Sequence, residues 1–153
     1  MCILIRMAVS TTLRTPSGPS QLASDYSRVR QASLDISANL APEDCVIQTI
    51  PEVSPTKWHL AHTTWFFEQF LLLDQNAASS AFDDNFLFLF NSYYYSVGKM
   101  HARTKRGLLN RPLLSEILAY RAHVDDAMTS LLDAGGLRDD LAGVLELGLQ
   151  HEQ

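Results

Sequence analysis

Cysteine is nearly missing. The 153 residues hold only Cys2 and Cys45, which form neither a disulfide framework nor a metal-clasping pair. A chain so poor in thiols is expected in a reducing cytoplasm. Long hydrophobic runs are missing too. None approaches the 18 or so apolar residues of a membrane helix, so no membrane role is expected. Met1–Arg6 is too short and too soon interrupted for a signal peptide. Positive charge is in deficit: a net charge of −5 argues against general nucleic-acid affinity. Internal repeats and low-complexity tracts are absent as well. What remains is a globular balance, 46% hydrophobic and 19% charged. One domain of this length can bury about two thirds of its unfolded surface.

The stretch from Ser54 to Leu73 organises the rest. It reads as one unbroken helix, ~28 Å long at 1.5 Å per residue. Ser54 is the expected N-cap, and Pro55 suits the first helical position. Trp58, His62, Trp65 and Leu72 step by four, three and seven, so they share a face. His62 therefore points inward with the large aromatics. A neutral imidazole there needs a hydrogen-bond partner or a metal, because an unpaired buried polar group costs about 1–3 kcal/mol. His59 falls with Phe66 and Phe70 at the edge of the stripe.

Before this helix, residues 1–19 read as a loose tail, and translation is expected to begin at Met7 or later. A first helix follows, with Leu22, Tyr26, Val29, Ile36 and Leu40 as its stripe and Pro42 as its stop. A connector runs to Val53. After the central helix, residues 75–111 read as a long packed loop with a helical turn. Phe86, Phe88 and Phe90 alternate like a short strand, but no partner strand is evident. Long ordered loops in compact domains are often functional. A third helix begins near Pro112, with Leu114, Ile117, Leu118, Val124, Met128 and Leu131 inward. Gly135-Gly136 stops it. Asp139 or Asp140 is the expected cap of a fourth helix, on which Val144, Leu147 and His151 share a face. The fold class is therefore all-α, a four-helix bundle with a long loop between helices two and three. The last helix runs to Gln153 with no terminator.

Bundles build metal sites from side chains facing inward. His62 and His151 both lie on apolar stripes, and satisfied core histidines and metal ligands both remain open for them. Nitrogen ligands suit zinc or iron, and spacing does not choose. His123 reads as a surface residue, and His101 belongs to a basic segment. That segment carries Lys99, Arg103, Lys105, Arg106 and Arg111 in an acidic protein. It reads either as a solvated loop or as a carboxylate clamp, in which Arg103 and Arg106 present planar forks. Arg121 lies in a buried stripe and needs an anion; Asp125 or Glu68 is the expected partner.

Several motifs, in order, resemble one family. Ser54-Pro-Thr-Lys-Trp-His-Leu-Ala-His62-Thr-Thr-Trp-Phe-Phe-Glu68 resembles the N-terminal domain of the ergothioneine-biosynthesis sulfoxide synthases, also called hercynine oxygenases. So do Phe90-Asn-Ser-Tyr-Tyr94, Arg106-Gly-Leu-Leu109, Arg111-Pro112, Leu118-Ala-Tyr-Arg-Ala-His-Val124 and Leu147-Gly-Leu-Gln-His-Glu-Gln153. The likeness covers residues 20–153, which it implies form a DinB-like bundle that is incomplete at its C-terminus. The family uses non-haem iron(II) and O2 to join a cysteine-type thiol, such as γ-glutamylcysteine or cysteine, to hercynine as a sulfoxide. The resemblance implies that His62 and His151 bind the metal, with a third histidine two residues beyond Gln153. It also implies that Arg103 and Arg106 bind the thiol substrate's carboxylates. A C-terminal formylglycine-generating-enzyme-like domain carries the family's catalytic tyrosine, so no catalytic residue is expected within this chain. Alone, the chain is expected to bind iron(II) poorly and to be inactive, with His151 on a fraying helix end. The alternatives are a DinB-like divalent-metal-dependent thiol transferase and a non-catalytic helical interaction module.

Overall fold

The computed structural model describes residues 19–76 and 79–153. The tail expected over residues 1–19 and the late start at Met7 lie outside these residues, apart from Pro19, which opens the first helix. The helices are α1 (Pro19–Ser37), α2 (Thr56–Phe67), α3 (Leu73–Gln75), α4 (Asp84–Leu89), α5 (Leu114–Asp133) and α6 (Ala142–Glu152). The described residues contain no strand. None of their helices is long and apolar enough to cross a membrane. The long helices form an all-α bundle in the cyclic order α1, α5, α2, α6, with α1 and α2 each packed on α5 and α6.

The central helix is buried over most of its surface, with His59 left exposed. Trp58, Leu60, Ala61, Trp65, Phe66 and Phe67 are all in the core, as expected of a helix that is apolar on every face. The single stripe read from the sequence was too narrow: Leu71 is fully buried, whereas Leu72 is only partly so. Nor is the helix uninterrupted. A π turn spans Glu68–Leu72 between α2 and α3. Glu68 at its start is buried and accepts bonds from Tyr120 Oη at 2.6 Å and the Phe82 amide at 2.8 Å. Ser54 does not cap α2; Pro55 holds the N-cap position without a side-chain bond. Ser54 Oγ instead accepts from Arg106.

Helix α1 ends at Ser37, short of the expected Pro42. Ser37 Oγ turns back onto the carbonyls of Ser33 and Leu34, a local bond that competes with helix propagation. Ile36 is left 84% exposed, so the stripe holds only through Val29. In the long connection, α4 is the helical turn expected there, and the alternating phenylalanines form no strand. Asp83 caps it by accepting the Asn85 amide at 2.8 Å, and Phe86 and Phe90 share its buried face with ring centroids 5.0 Å apart. A 3-10 helix follows at Arg103–Leu108.

On α5, Ile117, Val124 and Met128 are buried as expected, but Leu118 is exposed, and Tyr120, Arg121 and Leu132 complete the face. The α5 stop is as read: Gly135 takes φ +60°, and the Gly136 amide bonds the Leu131 carbonyl at 2.9 Å. Neither Asp139 nor Asp140 caps α6, which grows out of a 3-10 turn at Asp139–Leu141. Asp140 pairs with Arg138 instead. The buried face of α6 is Leu145, Gly148 and Leu149, while Leu147 is exposed. A Cβ at Gly148 would stand 2.7 Å from the Phe67 ring and 2.8 Å from Phe66. Only glycine lets α6 approach α2 this closely.

Polar groups also cross the middle of the bundle. Arg30 on α1 bonds Asp125 of α5 at 2.6 Å, Glu152 of α6 at 3.0 Å and Thr64 of α2 at 2.9 Å. Arg121 does not pair with Asp125 or Glu68. It donates to Glu152 and to the Arg30 carbonyl. Asp125 is taken by Arg30 and the Tyr26 hydroxyl, and Glu68 by Tyr120. Burial works against the Glu152 charge, yet Arg30 and Arg121 hold its carboxyl below the ordinary value. The end of α6 is therefore tied down, not fraying.

A candidate metal and anion-binding cleft

A cleft of about 640 Å³ opens where α2, α6, the 92–94 segment and the 3-10 helix meet. His59, His62, His151, Arg103 and Arg106 all line it. The structure thus brings together His62 and His151 with the two arginines of the basic segment. It leaves His101 and His123 elsewhere: His101 contacts the Lys105 carbonyl, and His123 lies against Phe82.

His62 is buried in the cleft wall. Its ring stacks on Trp58 at 4.6 Å and on Trp65 at 5.8 Å, and meets the His151 ring edge-on at 5.0 Å. Its Nδ1 lies 2.7 Å from the Phe90 carbonyl oxygen. A carbonyl only accepts, so Nδ1 carries the proton and Nε2 keeps a free lone pair. Burial is the main cause that pushes the His62 pKa down to about 3, and His151, Arg106 and His59 add to it. The ring is therefore neutral at physiological pH. Burial likewise lowers His151, against the pull of Glu152, and lowers His59, where Arg106 and Arg103 contribute. A neutral imidazole with one nitrogen fixed by a carbonyl is the form in which histidine ligates metals. His62 is such a ring, and with the neutral His151 beside it fits part of a metal site. Among the described residues, no three His, Cys, Asp or Glu side chains are grouped to hold an ion.

Arg106 faces the same cleft. Its guanidinium lies 3.4 Å from the centre of the Trp58 ring and donates to Ser54 Oγ at 2.8 Å and Ser92 Oγ at 3.0 Å. Among the described residues, its buried Nε has no hydrogen-bond partner. Burial, then the nearby Arg103, pushes its pKa down to about 10. Arg103 donates to the Glu52 carbonyl at 3.3 Å and sits 5.0 Å from the Tyr93 ring centre. Among the described residues, no carboxylate pairs with either arginine. Tyr93 holds a φ of 64°, a conformation that costs a non-glycine residue energy and recurs at functional sites.

The 3-10 helix is positioned by Gln48. Its Nε2 donates to the Val53 carbonyl at 2.8 Å and the Arg103 carbonyl at 2.9 Å, while its Oε1 accepts the Gly107 amide at 2.7 Å. Sequence reasoning missed Gln48, Ser54 as an arginine acceptor, Ser92 and Glu152. Only Glu152 left a signal, since it continues the Leu145, Gly148, Leu149 spacing one turn further.

A family model described as the DinB superfamily matches residues 25–153. The chain belongs to the DinB superfamily. No curated protein matches the sequence. DinB-superfamily domains are often metal-binding, which agrees with neutral imidazoles at the mouth of this DinB cleft.

Proposed function

We propose that this DinB domain is the metal- and thiol-binding half of an ergothioneine-type sulfoxide synthase. One observation carries the reading. A buried guanidinium, Arg106, has no carboxylate partner among the described residues and shares a cleft with the neutral imidazoles of His62 and His151. A buried cation without a counter-ion favours an anionic ligand, because each charge-assisted bond to it is stronger in a water-poor site. Arg106 and Arg103 would bind the carboxylates of a cysteine-type thiol such as γ-glutamylcysteine. Trp58 and Ser92 would hold the Arg106 fork in plane. His62 and His151 would hold iron(II), with a third donor and the hercynine pocket supplied from outside these 153 residues. When bound, the iron would acidify the thiol and supply O2 chemistry. The chain's own residues would orient the thiol beside the metal, a contribution of proximity and not of proton transfer.

The test extends the reading frame past codon 153 and assays the longer product with hercynine, γ-glutamylcysteine, iron(II) and O2. A histidine two residues after Gln153 and O2-dependent sulfoxide formation are expected. A stop codon after Gln153 in well-covered sequence would overturn the reading. So would thiol transfer that runs on zinc or nickel without O2.

A further inference from the structure

We infer that Glu152 is a positioning residue for His151: its carboxylate, locked between Arg30 and Arg121, sets the angle at which the neighbouring imidazole meets His62. The inference rests on His151 acting as a ligand, but its geometry stands without any metal.

The His151 ring has little to hold it. It touches His62 edge-on and Phe66 at 5.6 Å, and among the described residues no hydrogen bond fixes its nitrogens. Ring contacts alone leave an imidazole free to turn about two side-chain torsions. The backbone beneath it, however, is pinned on both sides. Three residues earlier, Gly148 seats α6 against Phe66 and Phe67. One residue later, Glu152 points about 100° further round the helix and accepts three hydrogen bonds. Its Oε1 accepts from Arg121 and from Ser33 Oγ at 2.7 Å, and its Oε2 accepts from Arg30 at 3.0 Å. These partners sit on α5 and α1, so the last turn of α6 is fixed to two other helices. The Glu152 side chain is 1% exposed.

Such a cluster is a poor way to gain stability, because desolvating buried charges offsets most of their attraction. The best-attested use of buried ionic groups is to select one register over others. Here the register selected is the rotation of the final turn of α6. A hydrophobic residue at position 152 could pack there, but it would allow the turn to slide or rotate, and His151 would move with it. Groups that orient a ligand in this way typically change metal affinity 10–100-fold when removed.

The test uses Glu152→Gln, which keeps the shape and one acceptor oxygen but removes the charge. In the metal-free protein, proton NMR should show cross-relaxation between the His62 and His151 rings, and Glu152→Gln should abolish it. In a Ni(II) titration followed by melting temperature, the variant should need at least tenfold more metal for the same shift. Val124→Ala, a core lesion on α5 away from the cleft, should lower the melting temperature without changing either readout. Should Glu152→Gln fail to fold, Ser33→Ala removes one of the three donors and should weaken both signals in part. Retained ring cross-relaxation together with Ni(II) affinity within twofold of the parent, in a variant that is merely less stable, overturns the inference. A Ni(II) response that survives both His62→Ala and His151→Ala overturns the metal reading instead; the NMR comparison then still decides the role of Glu152.

Discussion

The molecule holds two pairs of arginines, and their surroundings are opposite. Arg30 and Arg121 lie in the bundle centre with Asp125 and Glu152 against them, two cations matched by two anions. Arg103 and Arg106 lie at the cleft, where their partners are hydroxyls, a carbonyl and aromatic faces. The first pair is complete within the fold. Among the described residues, the second leaves a buried cation without its counter-charge, which a fold gains nothing by keeping. The difference separates arginines whose charge the fold answers from arginines whose charge it leaves unanswered among the described residues, and burial alone would not have made that separation, since Arg30 and Arg106 are equally buried.

The comparison breaks most easily at Arg30. Arg30→Ala removes the ion-pair partner of Asp125 and one of the two cations on Glu152, and should cost about 3–5 kcal/mol, the loss typical of one partner removed from a buried pair. Urea denaturation measures it; a loss below 1 kcal/mol would mean that the cluster is not the brace described. Arg106→Ala should behave in the reverse manner. Melting should stay the same or rise, because an unmatched buried charge has gone. In an active, iron-loaded form, the Michaelis constant for the thiol should rise roughly ten- to hundredfold, equivalent to about 1.5–3 kcal/mol for a charged hydrogen bond. An unmoved constant in both Arg106→Ala and Arg103→Ala would remove the clamp.

Acid sharpens the contrast. Glu152 is held below its unfolded pKa of about 4.3, so its contribution is complete above that value and is lost as pH falls through the lower folded value. His62 also has a lowered pKa, about 3 against roughly 6.5 unfolded. Its neutral ring is favoured by the fold, so its contribution is complete above about pH 6.5 and declines as pH falls toward 3. The slope is at most about 1.4 kcal/mol per pH unit. His62→Gln should flatten stability between pH 6.5 and 4.5 and leave the steeper loss below pH 4 in place. A stability curve unchanged in the upper window would show that His62 is not buried as described.

Local signals in the sequence carried much of this. The aromatic run around His62 marked the central helix, and Gly135 marked the end of α5, because periodicity and left-handed backbone are properties of neighbouring residues. The partner of Arg121 was not legible. Glu152 lies 31 positions away, and the two acids expected to serve it, Asp125 and Glu68, are claimed by Tyr26, Arg30 and Tyr120. The same limit hid Ser54: its position before a proline-led helix read as a cap, but a guanidinium from the far side of the long connection took its oxygen. The end of α1 was misplaced because a serine side chain, not the downstream proline, stops it. At the cleft, the spacing of Arg103 and Arg106 was visible, while the Gln48 amide that positions their 3-10 helix was not.

The stacked wall of the cleft has an optical consequence. The chain has two tryptophans, and both lie against the imidazole of His62. One of them also carries the Arg106 guanidinium on its ring. Light absorbed at 295 nm is therefore re-emitted from this one spot and nowhere else in the protein. Indole emission is quenched by nearby cations and transition metals, and it shifts in colour when water is expelled. Intrinsic fluorescence, without a dye, therefore reports on this cleft alone.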